Sequence, residues 1–134
     1  MADEKIETFE QFWDFYVGEH KNPTTRLLHF VGTTTAMGCL ATGLVTRQRW
    51  LMAVAPLAGY GPAWFSHFFI EKNKPATFKY PLWSLQADFV MWWKIATRTM
   101  QAEVDRVARQ QEERGRAAPD AHADHAGIAN EAVN

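Results

Sequence analysis

The chain is short of cysteine, with only Cys39 among 134 residues. An intramolecular disulfide is excluded, and a lone thiol inside an apolar run is expected to pack between helices as a small hydrophobe. Net charge is scarce as well, at −1 at pH 7. With no basic patch interleaved with aromatics, nothing calls for a nucleic-acid partner. Internal repeats are absent, and the length suits one domain. No two histidines stand at HxH or HxxxH spacing, and no 2-oxoglutarate or flavin motif is visible. The N-terminus is acidic and polar, so no signal peptide is expected. The most telling absence is local: residues 27–46 and 50–70 contain no Lys, Arg, Asp or Glu.

An apolar helix needs about 20 residues to cross the ~30 Å hydrocarbon core of a bilayer. These two stretches have twenty and twenty-one, joined by Arg47-Gln48-Arg49. They predict an antiparallel membrane hairpin. Gly32, Ala36, Cys39 and Gly43 share one face of the first helix, and Ala55, Gly59, Ala63 and Ser66 one face of the second. Small residues at such spacing let membrane helices approach closely. Pro56 and Pro62 are expected to kink the second helix. Two buried central helices of a soluble bundle would look similar, but the remaining residues are too few to cover them unless the protein is a homo-oligomer. Flanking charge sets orientation. Lys21, Arg26, Lys72, Lys74 and Lys79 at the open end outnumber Arg47 and Arg49 at the link. Both termini are therefore expected in the cytoplasm, with the protein integral to the membrane.

The rest reads as interfacial helices and a tail. Ile6, Phe9, Trp13 and Tyr16 or Val17 recur at helical spacing, with Phe12 and Phe15 widening the stripe. Asn22-Pro23 ends this helix, and Thr24 or Thr25 offers a cap for the next. Residues 73–81 are expected to be a loop. From Leu82 one helix is expected to continue to Arg114, its Trp83, Trp92, Trp93, Tyr80 and Phe89 suited to the headgroup zone. The fold class is thus all-α, a membrane hairpin flanked by interfacial amphipathic helices. Residues 1–114 form the domain, and 115–134, poor in large apolar residues, are expected to be disordered.

The chemistry rests on histidines. His29 lies one turn into the first apolar helix and His67 one turn from the end of the second, at matched depth in the hairpin. His20 closes the preceding helix, and Glu71 shares a face with His67 at i+4. Ionisable groups at membrane depth are costly and mark functional sites. Three imidazoles and a carboxylate at one interface suit iron, zinc, copper or nickel. Each residue also has a plainer reading: His20 an exposed helix end, His29 a donor to a backbone carbonyl, Glu71 a partner for Arg26, Lys72 or Lys74. His122 and His125 in the tail are expected to be solvated.

Four strings carry a family resemblance: FWDFYVGEHKNP (12–23), RLLHFVGT (26–33), GYGPAWFSHFFIEKNKPATF (59–78) and YPLWSLQAD (80–88). Together they resemble the bacterial branch of the Mpo-type dioxygenases over about residues 8–100. The chain departs from the fungal pattern at His20, where two adjacent histidines would stand, and at Ser66, where glycine would. The resemblance implies a membrane enzyme that uses Fe(2+) and O2 to shorten 2-hydroxy fatty acids by one carbon, with His20, His29 and His67 as metal ligands. Under that reading Glu71 is the catalytic carboxylate, either ligating the metal or accepting the N–H of a ligating histidine, Arg26 and Lys72 hold the substrate carboxylate, and Tyr60 and Trp64 flank the acyl chain. The competing expectations are a non-catalytic membrane hairpin module and a metal-dependent lipid hydrolase such as a zinc enzyme.

Overall fold

The computed structural model describes residues 5–128, with side chains to residue 117. It is all-helical, with no strand among the described residues. The elements are α1 (Phe9–Glu19), α2 (Pro23–Thr46), α3 (Arg49–Ser66), a π-helical turn (His67–Glu71), a 3-10 turn (Ala76–Phe78), α4 (Pro81–Ala96) and α5 (Met100–Ile128).

Helix α1 starts on a capping box in which Thr8 accepts from the Gln11 backbone and Gln11 reaches back. The cap of α2 is Asn22 rather than Thr24 or Thr25. Its side chain accepts the Thr24 N–H at 2.9 Å, and Pro23 takes the first helical position, where its missing N–H costs nothing. A second difference lies between α4 and α5. The continuous helix expected from Leu82 is broken at residues 97–99. Arg98 turns left-handed (φ 60°), the Arg98 N–H bonds to Ile95 O at 3.0 Å and the Thr99 N–H to Lys94 O at 2.8 Å. Those two bonds are the Schellman closure of a helix end. The turn lets α5 pack back on α1. Helix α5 continues past Gly115, and residues 129–134 lie outside the described residues.

Two regions result. The first is an aromatic core of Phe12, Trp13, Tyr16, Val17, Ala76, Ala87, Met91, Met100 and Val107, drawn from α1, α4, α5 and the 3-10 turn. Phe12 is fully buried, with Tyr80 and Trp83 at centroid distances of 5.4 and 5.6 Å. These two aromatics therefore line the core rather than an outer face. A polar clasp closes the region. Glu103 accepts from Trp13 Nε1, Lys94 and Arg106, and Arg106 also binds Asp14 at 2.6 Å.

The second region is the pair α2–α3, which turns at Arg47 (φ 58°) and packs along its length. A Cβ on Gly32 would lie 2.8 Å from Gly59 O, and one on Gly43 2.8 Å from Met52 Cγ and 3.1 Å from Gln48 O. The small-residue faces are the seam, and backbone meets backbone there. Leu27, Leu44, Val45, Leu57 and Phe69 all point outward. Among the described residues helix α2 alone is long and apolar enough to cross a membrane, and only 17% of its most apolar stretch is buried. In α3 the α-helical part stops at Ser66, and Pro, Gly, Tyr and Trp dilute its hydropathy.

Candidate metal centre

The two regions meet at three histidines. His20 closes α1, His29 lies on α2 and His67 begins the π-helical turn. All three are buried, at 0%, 5% and 2% exposure. One ring nitrogen of each lies within 4.8 Å of the other two. The rings stand nearly perpendicular, with centroids 4.5 Å (His20–His29), 4.6 Å (His20–His67) and 5.3 Å (His29–His67) apart.

Each imidazole is oriented from its other side. His20 Nδ1 lies 2.6 Å from Tyr16 O, His29 Nδ1 3.0 Å from Asp88 Oδ1, and His67 Nδ1 2.7 Å from Asn73 Oδ1. A carbonyl and a carboxylate can only accept, so His20 and His29 donate through Nδ1. The Asn73 amide is settled by its own partners: Nδ2 donates to Glu19 Oε2 at 2.6 Å and Glu19 O at 3.3 Å, leaving Oδ1 to accept from His67. In neutral rings this leaves all three Nε2 atoms as bare lone pairs.

His20 Nε2 and His29 Nε2 sit only 3.2 Å apart. With no proton between them, two lone pairs at that distance repel. Burial first, then the neighbouring His29 and His67, holds His20 well below the ordinary imidazole range, so His20 does not supply that proton. A metal cation does resolve it. With nitrogen–metal distances of ~2.0–2.1 Å, adjacent ligands at octahedral or tetrahedral angles stand roughly 2.8–3.4 Å apart. The His20–His29 pair has that spacing, and His67 completes a group that could hold a metal. The Nδ1 partners match the pattern by which a carbonyl or carboxylate fixes the tautomer of a ligating histidine.

The surrounding chain locks this arrangement. Tyr16 stacks on His20 at 4.0 Å, and its hydroxyl donates to the same Asp88 oxygen that His29 uses. Burial, then the Asp88 charge, pushes the Tyr16 phenol well above its usual range, so it stays a donor. Arg26 donates to His20 O at 2.9 Å and Lys21 O at 2.7 Å, and its other nitrogen reaches Gln101. Its N–H groups are thus committed to the end of α1 and the start of α5. Glu71 accepts the Asn22 N–H at 2.9 Å, across the α1–α2 connection. The acceptors of the ring N–H groups are Tyr16 O, Asp88 and Asn73, so Glu71 sits beside the cluster without touching those donors. Lys72 is exposed and left-handed (φ 57°) at the end of the π-helical turn.

An apolar groove of about 250 Å³ leads from His29 and Asp88 between α2, α3 and α4; Tyr60 lines it. Trp64 lies between Tyr60 and Phe78, tilted to both, with ring centroids 5.7 and 5.2 Å away. His122 and His125 belong to the stretch whose side chains are not described. Asp88, Asn73 and Tyr16 were not among the site residues expected from sequence. Asp88 had one available signal, as the single charged residue in the run 82–93.

No curated protein and no solved structure matches the chain. A family model described as 2-hydroxy-palmitic acid dioxygenase Mpo1-like matches residues 6–100. That span holds all three histidines and every acceptor that orients them. The chain belongs to this family.

Proposed function

We propose that the protein is an iron-dependent dioxygenase that shortens 2-hydroxy fatty acids by one carbon at a membrane surface. One observation carries the reading: three buried, pre-oriented imidazole lone pairs converge with no donor to satisfy them. The family's printed name supplies the substrate class. The overall change, 2-hydroxy acid plus O2 giving the shorter acid, CO2 and water, balances without an external reductant. Ferrous iron held there would supply redox chemistry with oxygen and Lewis acidity toward a hydroxy acid. The residues do the rest. His20, His29 and His67 hold the ion, while Tyr16 O, Asp88 and Asn73 keep each Nε2 deprotonated and aimed. The apolar walls limit water at the reacting carbon. Lys72 offers a cation to the substrate carboxylate, and Tyr60 and Trp64 flank the acyl chain. Arg26 and Glu71 act as positioning residues that brace the segment bearing His20.

The membrane reading draws on surface composition. Leu27, Leu44, Val45, Leu57, Phe65 and Phe69 turn large apolar side chains outward, as a lipid-facing surface would. The hairpin spans or dips into the bilayer with both termini cytoplasmic, and the histidine end opens to that face. Metal analysis of protein purified without a histidine tag tests the function. Stoichiometric iron, with oxygen uptake that depends on a 2-hydroxy fatty acid, is expected. Lipid hydrolysis without oxygen would replace this reading with a hydrolase, and metal-free protein of unchanged fold would replace it with a non-catalytic module.

A further inference from the structure

The groove beside the metal centre is polar at one end only. His29 and Asp88 form that end, and Ala36, Met37, Leu40 and Tyr60 continue it as an apolar trough along the hairpin. Its floor is left open because Ala55 and Gly59 have almost no side chain to fill it, and a Cβ on Gly59 would meet only Ala36 Cβ, at 3.4 Å. A ligand with a chelating head and a long unbranched tail matches both ends: the head meets the histidines, and the tail needs a narrow apolar track. The trough also has a length. From His29 to Leu40 is eleven helical residues, roughly 16 Å at the helical rise, which an extended chain of about a dozen carbons would cover.

Resting on the dioxygenase reading, we infer that this trough is the acyl-chain track, and that Met37 and Leu40 at its far end set the chain-length preference. The tail then runs from the metal toward the Arg47–Arg49 turn, against the hairpin rather than across the aromatic core. Carbons beyond Leu40 leave the protein and lie among lipid tails. Leu40 is 41% exposed, so enlarging it changes the end of the track without disturbing a packed core.

Two measurements test this on the full-length protein in phosphatidylcholine vesicles. The first follows oxygen uptake with saturated 2-hydroxy acids of 8 to 18 carbons, on the order of the track length and beyond, for the wild type and Leu40→Trp. The bulkier end is expected to lower the ratio of long-chain to short-chain kcat/KM by at least ~10-fold, about 1.4 kcal/mol. A uniform loss at every length, or an unaltered profile, would overturn the proposal. The second uses a 2-hydroxy fatty acid carrying a diazirine about a dozen carbons from its head and maps the crosslinks by mass spectrometry. Labelling of Met37, Leu40 or their α3 neighbours supports the track even if no oxygen is consumed, in which case only the dioxygenase reading fails. Oxygen uptake with crosslinks confined to α1 and α5 would keep that reading and remove the track.

Discussion

The aromatic core of α1, α4 and α5 and the hairpin α2–α3 are stabilised in opposite ways. In the first, large side chains face inward: Phe12, Tyr16 and Met91 are at most 2% exposed, and charged residues close the outside. In the second, the inward positions are Gly32, Gly43, Ala55, Ala63 and Ser66, and the large apolar side chains face out. Water drives the first arrangement, because burying aromatics removes apolar area from solvent. On the proposed membrane reading it does not drive the second, where close backbone contact and interhelical packing are what remain. The candidate metal centre lies on the boundary. His20 comes from the end of α1, and His29 and His67 come from the hairpin. A cation holding all three would tie two bodies of different physical character.

Substitutions that strike one side of this boundary can break the comparison. The largest effect is expected from removing a ligand. His67→Ala or His29→Ala should empty the metal site almost completely while circular dichroism keeps its helical signal. Next comes Phe12→Ala, which opens a cavity in the aromatic core at a cost of about 3–5 kcal/mol. Hydrogen exchange should then rise in α1, α4 and α5 and stay low in α2 and α3. Gly32→Ala is the converse, because its methyl would press on the Gly59 carbonyl, a backbone atom with little freedom to move. It should cost about 1–3 kcal/mol as overpacking and loosen the hairpin first. Equal loosening of both regions by either variant would show that they fold as one unit.

Two smaller effects sharpen the picture. Asp88→Asn leaves a side chain that can still accept from His29 but no longer carries charge, so metal affinity should fall ~10–100-fold with the fold intact. Asp88→Ala should do worse, since Tyr16 and His29 both lose their acceptor. The smallest effect concerns acid. Burial alone would raise the Glu103 carboxyl, but hydrogen bonds from Lys94, Arg106 and Trp13 hold it at about 2. Its stabilising contribution is therefore complete above the unfolded value of 4.5 and is lost as pH falls from there towards 2. Glu103→Gln should flatten acid unfolding of the aromatic core over that window and leave the hairpin's response unchanged.

Much of this was legible from residue pattern alone. The small-residue faces of α2 and α3, the pairing of the two apolar runs and the matched depth of His29 and His67 follow from periodicity and from charges that are missing; His20 as a third ligand was implied by the family resemblance. Three features were not legible, each for a physical reason. The break at Arg98 carries no glycine or proline, because a left-handed arginine closes the helix there. The cap at Asn22 was hidden because Thr24 and Thr25, just beyond it, are also capping residues. The acceptors Asp88 and Asn73 lie 59 and 6 residues from the rings they orient, and spacing along a chain does not report contacts made between helices. Glu71, read as sharing the face of His67, accepts the Asn22 N–H across the α1–α2 connection, a contact between elements that spacing does not report.

The central claim is that the three imidazoles form an oxygen-using iron site. It is tested most directly by an oxygen electrode with tag-free, iron-loaded protein in vesicles and a saturated 2-hydroxy fatty acid, with products analysed by mass spectrometry. The account predicts one O2 consumed for each acid shortened by one carbon, with no uptake by the His67→Ala protein. Fully iron-loaded protein that consumes no oxygen with any 2-hydroxy acid, or that consumes it equally after His67→Ala, would contradict it.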